Sequence, residues 1–351
     1  METKIIRVLV IDDSALVRKT ISDTLELDPE IEVVGVANDP LIAIDKIPRL
    51  NPDVLTLDME MPRMDGLTFL RKLRSENSSL PVVVISSLTQ AGSQLALDAL
   101  EAGAQEVLAK PDGHSSIGAL ASKLAFHIKA AYRARRGPRF ARPAPQNTPV
   151  SAPPLSSSQD EKRLIAIGAS TGGVEALRYL LPALPDHLPP IVVVQHIPAY
   201  FSKAVADRIN TLTPYEVREA VDGEPLRPGL CLIAPGDYHL MVVKTSGYRT
   251  RLLQSPPVHH CRPSVDVLFR SAATAAGPHA LAILLTGMGS DGAVGMQAIQ
   301  RAGGYTLAES EESCVIYGMP RAAVELQAVD RSVPLDQMPQ AIMDGLRHLR
   351  A

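Results

Sequence analysis

Residues 164–177 read LIAIGASTGGVEAL, and this stretch indicates the fold of the chain around it. It begins with apolar and small residues, which are typical of a buried β-strand. Two adjacent glycines then allow a sharp turn, and the apolar residues after them have helical spacing. A strand that runs through a glycine turn into a helix predicts a parallel α/β sheet with functional groups at the carboxyl end of the strand.

The same alternation continues toward the C-terminus. Further strands are predicted at PIVVVQH (190–196), LCLIAP (230–235), LMVV (240–243) and ALAILLT (280–286), with helices near 173–182, 199–212, 265–276 and 291–302. The segments YHLMVV and YRTRLLQ, on either side of a short polar turn, predict an antiparallel hairpin. Residues 161–351 are therefore expected to form a larger α/β domain with a mostly parallel sheet and a β-hairpin insertion.

Toward the N-terminus, short apolar runs again alternate with amphipathic segments. Strands are predicted at IIRVLVID (5–12), EVVGVA (32–37), DVLTLDM (53–59), PVVVIS (81–86) and EVLA (106–109), with helices near 15–27, 40–49, 67–75, 91–102 and 116–131. Five strand–helix units of this length predict a flavodoxin-like fold, in which a five-stranded parallel sheet is doubly wound. Residues 1–132 are assigned to this domain.

Residues 133–160 differ from both domains. They read RARRGPRFARPAPQNTPVSAPPLSSSQD and are dense in Pro, Arg and Ser. Such a segment cannot bury enough apolar surface to offset the entropy lost on ordering, so it predicts a flexible linker. Its arginines are interpreted as keeping the linker soluble rather than as a site for an acidic partner.

Composition and charge narrow the functional classes. The 351 residues are 46% hydrophobic and carry a net charge of −3, which gives no overall attraction to nucleic acid or an anionic membrane. No run approaches the roughly 20 apolar residues of a membrane helix, and the N-terminus lacks a signal-peptide pattern, so we expect a cytoplasmic protein without membrane insertion. Cys231, Cys261 and Cys314 lack disulfide or zinc-site spacing, and each is interpreted as a small buried side chain.

Charged and hydroxyl side chains follow the predicted strands of the first domain. Asp12 and Asp13 end the first strand, Asp58 the third, Ser86 the fourth and Lys110 the fifth. These strand ends converge at one edge of a parallel sheet, where crowded carboxylates favour a hard cation such as Mg²⁺. A carboxylate beside that ion is able to attack a phosphoryl donor, and lysine and serine suit the phosphoryl oxygens.

The turn of the second domain contains the pattern G-x-S-x-G at Gly168, Ser170 and Gly172. Flanking glycines let the backbone bend sharply and expose the serine hydroxyl, and the following helix N-terminus offers N–H groups to a developing oxyanion. The N–H of Thr171 is a candidate donor. The motif alone is also consistent with a dinucleotide site or with a plain helix cap.

The G-x-S-x-G turn is also typical of serine hydrolases, and two more residues strengthen this interpretation. His196 ends the next predicted strand, and Asp291 lies in the glycine-rich stretch TGMGSDG after the strand ALAILLT. A serine needs a base to take its proton, and the imidazole needs a carboxylate to hold its tautomer. Three such residues at three strand ends predict a Ser170–His196–Asp291 triad. The order Ser, His, Asp excludes the α/β-hydrolase family, in which the acid precedes the histidine.

The first domain resembles the receiver domain of two-component response regulators over residues 4–125. By that resemblance Asp58 is the phospho-acceptor, and the Mg²⁺ ion is held by Asp12, Asp13, Asp58 and the backbone carbonyl of Glu60. Ser86 and Lys110 then sense the phosphoryl group, and a histidine kinase is the phosphodonor. One position departs from the family, since Val107 stands where many receivers have an aromatic residue.

The second domain resembles the catalytic domain of the chemotaxis protein-glutamate methylesterases. The motifs IGASTGG, QHIP, IAPGD, RPSVD and TGMGSDGA carry this resemblance over residues 162–347. It implies a phosphorylation-activated hydrolase that removes methyl groups from glutamate γ-methyl esters on chemoreceptors and deamidates receptor glutamines. It also implies the triad named above and no cofactor at the hydrolase site. The N–H near Met288 is a second oxyanion candidate, and Arg262 is a candidate contact for an acidic receptor surface.

Two other functional classes fit parts of the sequence. A nucleotide-binding oxidoreductase would use GASTGG for phosphates, but it needs an acidic residue at the end of the next strand, where Gln195 and His196 stand. A DNA-binding regulator is a common partner of a receiver. It would require a compact basic helical module, whereas the second half is α/β and mixed in charge.

Overall fold

The structure is a computed structural model that describes residues 5–76, 78–87, 89–110, 117–134 and 162–349. The chain divides into two compact units, Met1–Arg136 and Gly137–Ala351. The predicted linker lies outside the described residues, except that Arg133 and Ala134 still belong to the last helix of the first unit. No helix in the described ranges combines the length and the apolar character needed to cross a membrane.

The first unit alternates strands and helices throughout. Its elements are β1 (Ile6–Ile11), α1 (Ala15–Leu25), β2 (Ile31–Ala37), α2 (Pro40–Leu50), β3 (Val54–Asp58), α3 (Gly66–Ser75), β4 (Val82–Ser86), α4 (Gln90–Glu101), β5 (Glu106–Ala109) and α5 (Ile117–Ala134). The five strands are parallel and lie in the order β2-β1-β3-β4-β5. This is the predicted flavodoxin-like order, whose functional crevice lies at the carboxyl ends of β1 and β3.

Local sequence explains where these helices begin. Ser14, Asp39, Asp65 and Thr89 are the residues immediately before α1, α2, α3 and α4, and each side chain accepts a backbone N–H of its helix. Such caps satisfy N–H groups that have no partner within the helix. The central strands β3 and β4 are buried at every position, which is expected when helices cover both faces of a parallel sheet.

The second unit is built on a larger sheet. Its elements are β6 (Leu164–Ala169), α6 (Gly173–Leu180), β7 (Ile191–Gln195), α7 (Phe201–Asn210), β8 (Glu216–Glu219), β9 (Leu230–Ile233), β10 (His239–Lys244), β11 (Tyr248–Leu253), α8 (Val265–Ala276), β12 (Ala280–Leu284), α9 (Ala293–Arg301), β13 (Tyr305–Glu309), α10 (Met319–Glu325), β14 (Arg331–Val333) and α11 (Met338–His348). Seven parallel strands lie in the order β14-β13-β12-β6-β7-β9-β8, and β10 and β11 form a separate antiparallel hairpin. The predicted fold class is confirmed.

The edges of this sheet were not predicted. The strands β8, β13 and β14 are absent from the predicted set, as are α10 and α11. β8 reads EVRE and β14 reads RSV, so neither has the apolar run of a buried strand. Both are edge strands, where one side of the backbone remains unpaired by the sheet and polar side chains are tolerated.

Candidate active site and phosphorylation site

Three neighbouring strands of the second unit bring the predicted triad together. The strands β12, β6 and β7 lie side by side in the sheet, and Ser170, His196 and Asp291 follow their carboxyl ends. Ser170 and Asp291 are buried, while the His196 side chain keeps 11% of its surface exposed. Residues far apart in the sequence therefore meet at one edge of a parallel sheet, as the order of the elements predicts.

The turn that carries Ser170 is held from two sides. The N–H of Gly173 donates to the Ser170 carbonyl at 2.7 Å, and the N–H of Ser170 donates to the Thr286 carbonyl at 3.0 Å. Gly172 has φ +77°, in the left-handed region that favours glycine, and it leads directly into α6. The sharp bend is therefore absorbed by the glycine, and the serine side chain is presented beside the helix N-terminus.

The glycine-rich loop after β12 packs directly against the serine. A Cβ atom on Gly287 would lie 2.7 Å from the Ser170 Cβ and 2.3 Å from the Met319 Sδ. No larger residue fits there without moving one of these groups. The close approach of the two backbones places Met288 next to the nucleophile turn.

A continuous chain of hydrogen bonds links the three side chains. The Nδ1 atom of His196 lies 3.1 Å from the Ser170 Oγ, and its Nε2 atom lies 2.8 Å from the Asp291 Oδ2. Because a carboxylate only accepts, Nε2 carries the proton in the neutral ring, and Nδ1 is left free to accept from the serine. The ring is thus turned end for end relative to the serine protease arrangement, in which Nε2 faces the serine.

The carboxylate of Asp291 is fixed by the first turn of α8. It accepts hydrogen bonds from the Ser264 Oγ at 2.8 Å, the Val265 N–H at 2.8 Å and the Asp266 N–H at 2.9 Å. Ser264 precedes α8 but makes no cap of its own, so Asp291 caps that helix from another loop. Burial alone would raise the pKa of Asp291, but the bonds from His196 and the α8 backbone hold it below its ordinary value.

Cys261 is a further neighbour of the histidine, and its environment differs from the expected one. Cys231 and Cys314 are buried as expected, whereas Cys261 is half-buried with its Sγ 3.6 Å from the His196 Nδ1. Burial disfavours the charged imidazole, but the sulfur of Cys261 and the Asp291 carboxylate favour it more and raise the pKa of His196. The interpretation of Cys261 as a small buried side chain is therefore wrong. Its loop has no periodic apolar pattern from which this position could have been predicted.

The two oxyanion candidates lie where the sequence indicated. Thr171 directly follows the serine and is buried, and its hydroxyl has no hydrogen-bond partner in the described part of the chain. Met288 is half-buried in the loop between β12 and α9. Thr171 lies just before α6, whose N-terminus is a favourable place for negative charge. The role of both residues as donors stays a prediction.

Sequence analysis missed the residues that support this site. Thr286 donates its hydroxyl to the Thr171 carbonyl at 3.0 Å, and its N–H donates to the Glu309 Oε2 at 2.8 Å. Gln195 donates to the Ser170 carbonyl at 2.9 Å. Glu309 is fully buried, and the only available signal for it was an acidic residue at the end of the unpredicted strand β13.

The first unit gathers the predicted acidic residues and lysine at the ends of β1, β3 and β5. The Lys110 Nζ lies 2.7 Å from the Asp58 Oδ2 and 3.4 Å from the Asp12 Oδ2. Asp12 and Asp58 are each 1% exposed, and Asp13 is exposed. Burial, together with Asp12, raises the pKa of Asp58 to about 6 despite the Lys110 ammonium.

The remaining predicted receiver residues lie around this pocket. Ser86 is buried at the end of β4, and its hydroxyl donates to the Gly92 carbonyl at 3.2 Å. The N–H of Glu60 donates to the Asp58 Oδ1 at 3.3 Å. Val107 is buried within β5. The sensing role of Ser86 and Lys110 stays a prediction. To bind a phosphoryl oxygen, the Ser86 hydroxyl would have to give up its hydrogen bond to the Gly92 carbonyl.

The acidic pocket fits a divalent cation. One oxygen from each of Asp12, Asp13 and Asp58 lies within 4.8 Å of the others. The Oδ2 atoms of Asp12 and Asp58 are buried and accept no hydrogen bond in the described ranges, although Lys110 faces both of them. Clustered carboxylate oxygens are the hard ligands that Mg²⁺ prefers.

The fold and the two pockets define a class of protein, a hydrolase whose α/β catalytic domain follows a response regulator receiver. Residues 165–342 match the protein-family model described as CheB methylesterase, and residues 8–121 match the response regulator receiver domain. The chain belongs to the CheB methylesterase family.

Relatives and a solved structure agree with this assignment. The chain is 47% identical over 343 residues to the protein-glutamate methylesterase/protein-glutamine glutaminase 2 of Syntrophus aciditrophicus, covering 96% of this chain and 98% of that one. It is 48% identical to the enzyme of that name from Chromohalobacter salexigens, covering 98% and 97%. The crystal structure of the Thermotoga maritima CheB methylesterase catalytic domain is 38% identical with a TM-score of 0.51, and covers 52% of this chain and 97% of its own.

Proposed function

We propose that this protein removes methyl groups from glutamate γ-methyl esters on chemoreceptors, deamidates receptor glutamines, and is activated by phosphorylation of Asp58. The observation that carries the hydrolytic part is the chain of contacts from the Ser170 Oγ to the His196 Nδ1 and from the His196 Nε2 to the Asp291 Oδ2. The names of the relatives support the substrate class. The acidic pocket with its lysine supports the regulatory part.

In the first half of the proposed reaction, Ser170 attacks the ester carbonyl carbon while its proton moves to the His196 Nδ1. Asp291 holds the ring in the required tautomer and stabilises the imidazolium that forms. The N–H groups of Thr171 and Met288 would donate to the oxyanion. Collapse of the tetrahedral intermediate breaks the bond to the methoxy oxygen, which takes the proton from Nδ1 and leaves as methanol.

In the second half, water replaces the alcohol. The His196 Nδ1 accepts a proton from that water while its oxygen attacks the acyl carbon, and the Ser170 oxygen then leaves with the proton. The products are the free glutamate carboxylate and the original enzyme. With a glutamine side chain the same steps release ammonia, so one site accounts for both activities.

The receiver part of the proposal uses the acidic pocket. Asp12, Asp13, Asp58 and the Glu60 carbonyl would hold Mg²⁺, which when bound neutralises negative charge between the carboxylates and a phosphoryl group. The Asp58 carboxylate attacks the phosphorus of a histidine kinase's phosphohistidine, and the leaving group is the imidazole. Lys110 already lies within ion-pair distance of Asp58 and is placed to bind a phosphoryl oxygen.

Methanol release from methylated receptor membranes tests the whole proposal. We expect the full chain to release methanol, and a small acyl-phosphate donor with Mg²⁺ to increase the rate. The variant Asp58→Asn should show a ratio of stimulated to unstimulated rates near one, because an amide cannot accept the phosphoryl group. Asp344→Asn, at a half-buried position of α11, serves as the matched control and should keep the ratio of the natural chain. A stimulated Asp58→Asn variant would contradict the regulatory assignment.

The rate should depend on pH through His196. Only the neutral imidazole accepts the serine proton, so kcat/KM is expected to rise as pH increases through the His196 pKa. Because that pKa is raised, the acid limb of the profile should lie above the ordinary histidine value of about 6.5. A profile of methanol release between about pH 5 and 10 measures the limb, and a midpoint at or below the ordinary value would refute this prediction.

A further inference from the structure

The nucleophile site also has the ligand set of a soft metal ion. The Cys261 Sγ and the Ser170 Oγ approach the same atom, the His196 Nδ1, at 3.6 Å and 3.1 Å. Together with Asp291, Cys261 and His196 form a group of ligand atoms within 4.8 Å of one another. We propose that this site binds a thiophilic divalent cation, represented by Zn²⁺, between the Cys261 Sγ and the His196 Nδ1, and that the bound ion stops hydrolysis.

The separation of the two ligand atoms fits zinc. A Zn–S distance of about 2.3 Å, a Zn–N distance of about 2.05 Å and a tetrahedral angle place sulfur and nitrogen about 3.6 Å apart. The observed distance between the Cys261 Sγ and the His196 Nδ1 is 3.6 Å. The two donors are therefore already spaced as neighbouring vertices of a zinc tetrahedron, without movement of either backbone.

The histidine is also prepared for metal binding by its other nitrogen. A metal-binding imidazole usually donates its second N–H to a carboxylate, which fixes the tautomer and the ring orientation. Here the His196 Nε2 faces the Asp291 Oδ2 at 2.8 Å, so the lone pair is on Nδ1, the atom that the Cys261 Sγ approaches at 3.6 Å. Asp291 is itself held by Ser264 and the α8 backbone, so it acts as the outer partner rather than as a ligand.

The two remaining positions on the ion would be taken by the Ser170 Oγ and by water. Binding replaces the thiol proton of Cys261, which is released to solvent. The ion would occupy the Nδ1 lone pair that accepts the serine proton, and this is why hydrolysis stops. The inhibition rests on the proposed function, whereas the binding does not.

The acidic pocket of the receiver is a competing site of different chemistry. Its donors are carboxylate oxygens, which suit a hard ion, whereas a thiolate and an imidazole select zinc or another soft ion. An excess of Mg²⁺ should therefore cover the receiver carboxylates without displacing Zn²⁺ from Cys261. The two sites are separable in one experiment on the full chain.

The binding experiment uses the tag-free full chain with excess Mg²⁺ and no phosphodonor. Zn²⁺ affinity is measured by competition with a chromogenic chelator, and Co²⁺ is used as a probe because a thiolate ligand gives a near-ultraviolet charge-transfer band. Cys261→Ala should weaken Zn²⁺ binding by about 10- to 100-fold or more and remove the Co²⁺ band. The matched control Cys314→Ala, at a buried cysteine, should keep both.

The activity experiment measures the Zn²⁺ concentration that halves methanol release, relative to each variant's own rate without zinc. We expect a chelator to reverse the inhibition, and Cys261→Ala to need at least about tenfold more Zn²⁺ than Cys314→Ala. Equal sensitivity of the two variants, or Co²⁺ binding without the thiolate band, would overturn the proposal. A chain that never releases methanol would count against the proposed function alone, because the chelator competition still decides the metal site.

Discussion

Replacing Ser170 with alanine is expected to lower methanol release by about 10⁴-fold or more. The Ser170 hydroxyl is the only oxygen that faces the His196 Nδ1 among the hydrogen bonds of the described residues, so its removal leaves the base without a hydroxyl to activate. Methanol release from methylated receptor membranes measures the loss. The fold should be retained, because the Ser170 backbone bonds to Gly173 and Thr286 do not involve the side chain.

A control variant and a double variant test this role of Ser170 further. Ser332→Ala, at an exposed position of β14, should keep the natural rate and the natural unfolding temperature. The double variant Ser170→Ala with His196→Ala should be no slower than Ser170→Ala alone, because residues of a triad act as a unit. Independent, multiplying losses would mean that His196 serves a different reaction.

Asp291→Asn is expected to lower methanol release by about 10⁴-fold, because an amide fails to hold the His196 tautomer. It should also destabilise the catalytic domain. The carboxylate accepts hydrogen bonds from His196, Ser264 and the backbone of Val265 and Asp266, whereas asparagine offers one acceptor oxygen and turns an NH₂ group toward the other donors. Each donor left unsatisfied costs about 1–3 kcal/mol.

Calorimetry together with the methanol assay separates the two effects of Asp291→Asn. The unfolding temperature should fall, whereas Asp344→Asn, which breaks the ion pairs with Arg331 and Arg347, should leave it nearly unchanged. Ser264→Ala removes one donor to Asp291 and keeps the negative charge, so its rate loss should be much smaller, within about tenfold. If Asp291→Asn lost stability but kept its rate, Asp291 would be a helix cap and no more.

Much of the fold was predictable because buried parallel strands have a strong sequence signal. Runs such as VLTLD and IVVVQ are apolar, short and bounded by turn residues, and each became a central strand. The meeting of Ser170, His196 and Asp291 was also predictable, because each follows a parallel strand and parallel strands end at one edge of the sheet. The polar edge strands lacked such runs and were missed.

The contacts of the site were less predictable because they come from irregular segments. Cys261 lies between the hairpin and α8, where no periodicity reports its distance from His196. Glu309 ends the short strand YTLAE, which has no clear apolar pattern, so its burial depends on neighbours remote in sequence. The sequence also could not predict which ring nitrogen of His196 faces Ser170, because motif spacing carries no information about ring orientation.

The orientation of the His196 ring has a consequence for covalent inhibitors. An alkylating group delivered from the serine side of this site would meet Nδ1, which is the ring nitrogen closer to the main chain. In the serine protease arrangement the same approach meets Nε2, at the far end of the ring. A haloketone that reacts with the ring from the serine side is therefore expected to alkylate Nδ1 in this enzyme, and not the Nε2 atom that it meets in those proteases.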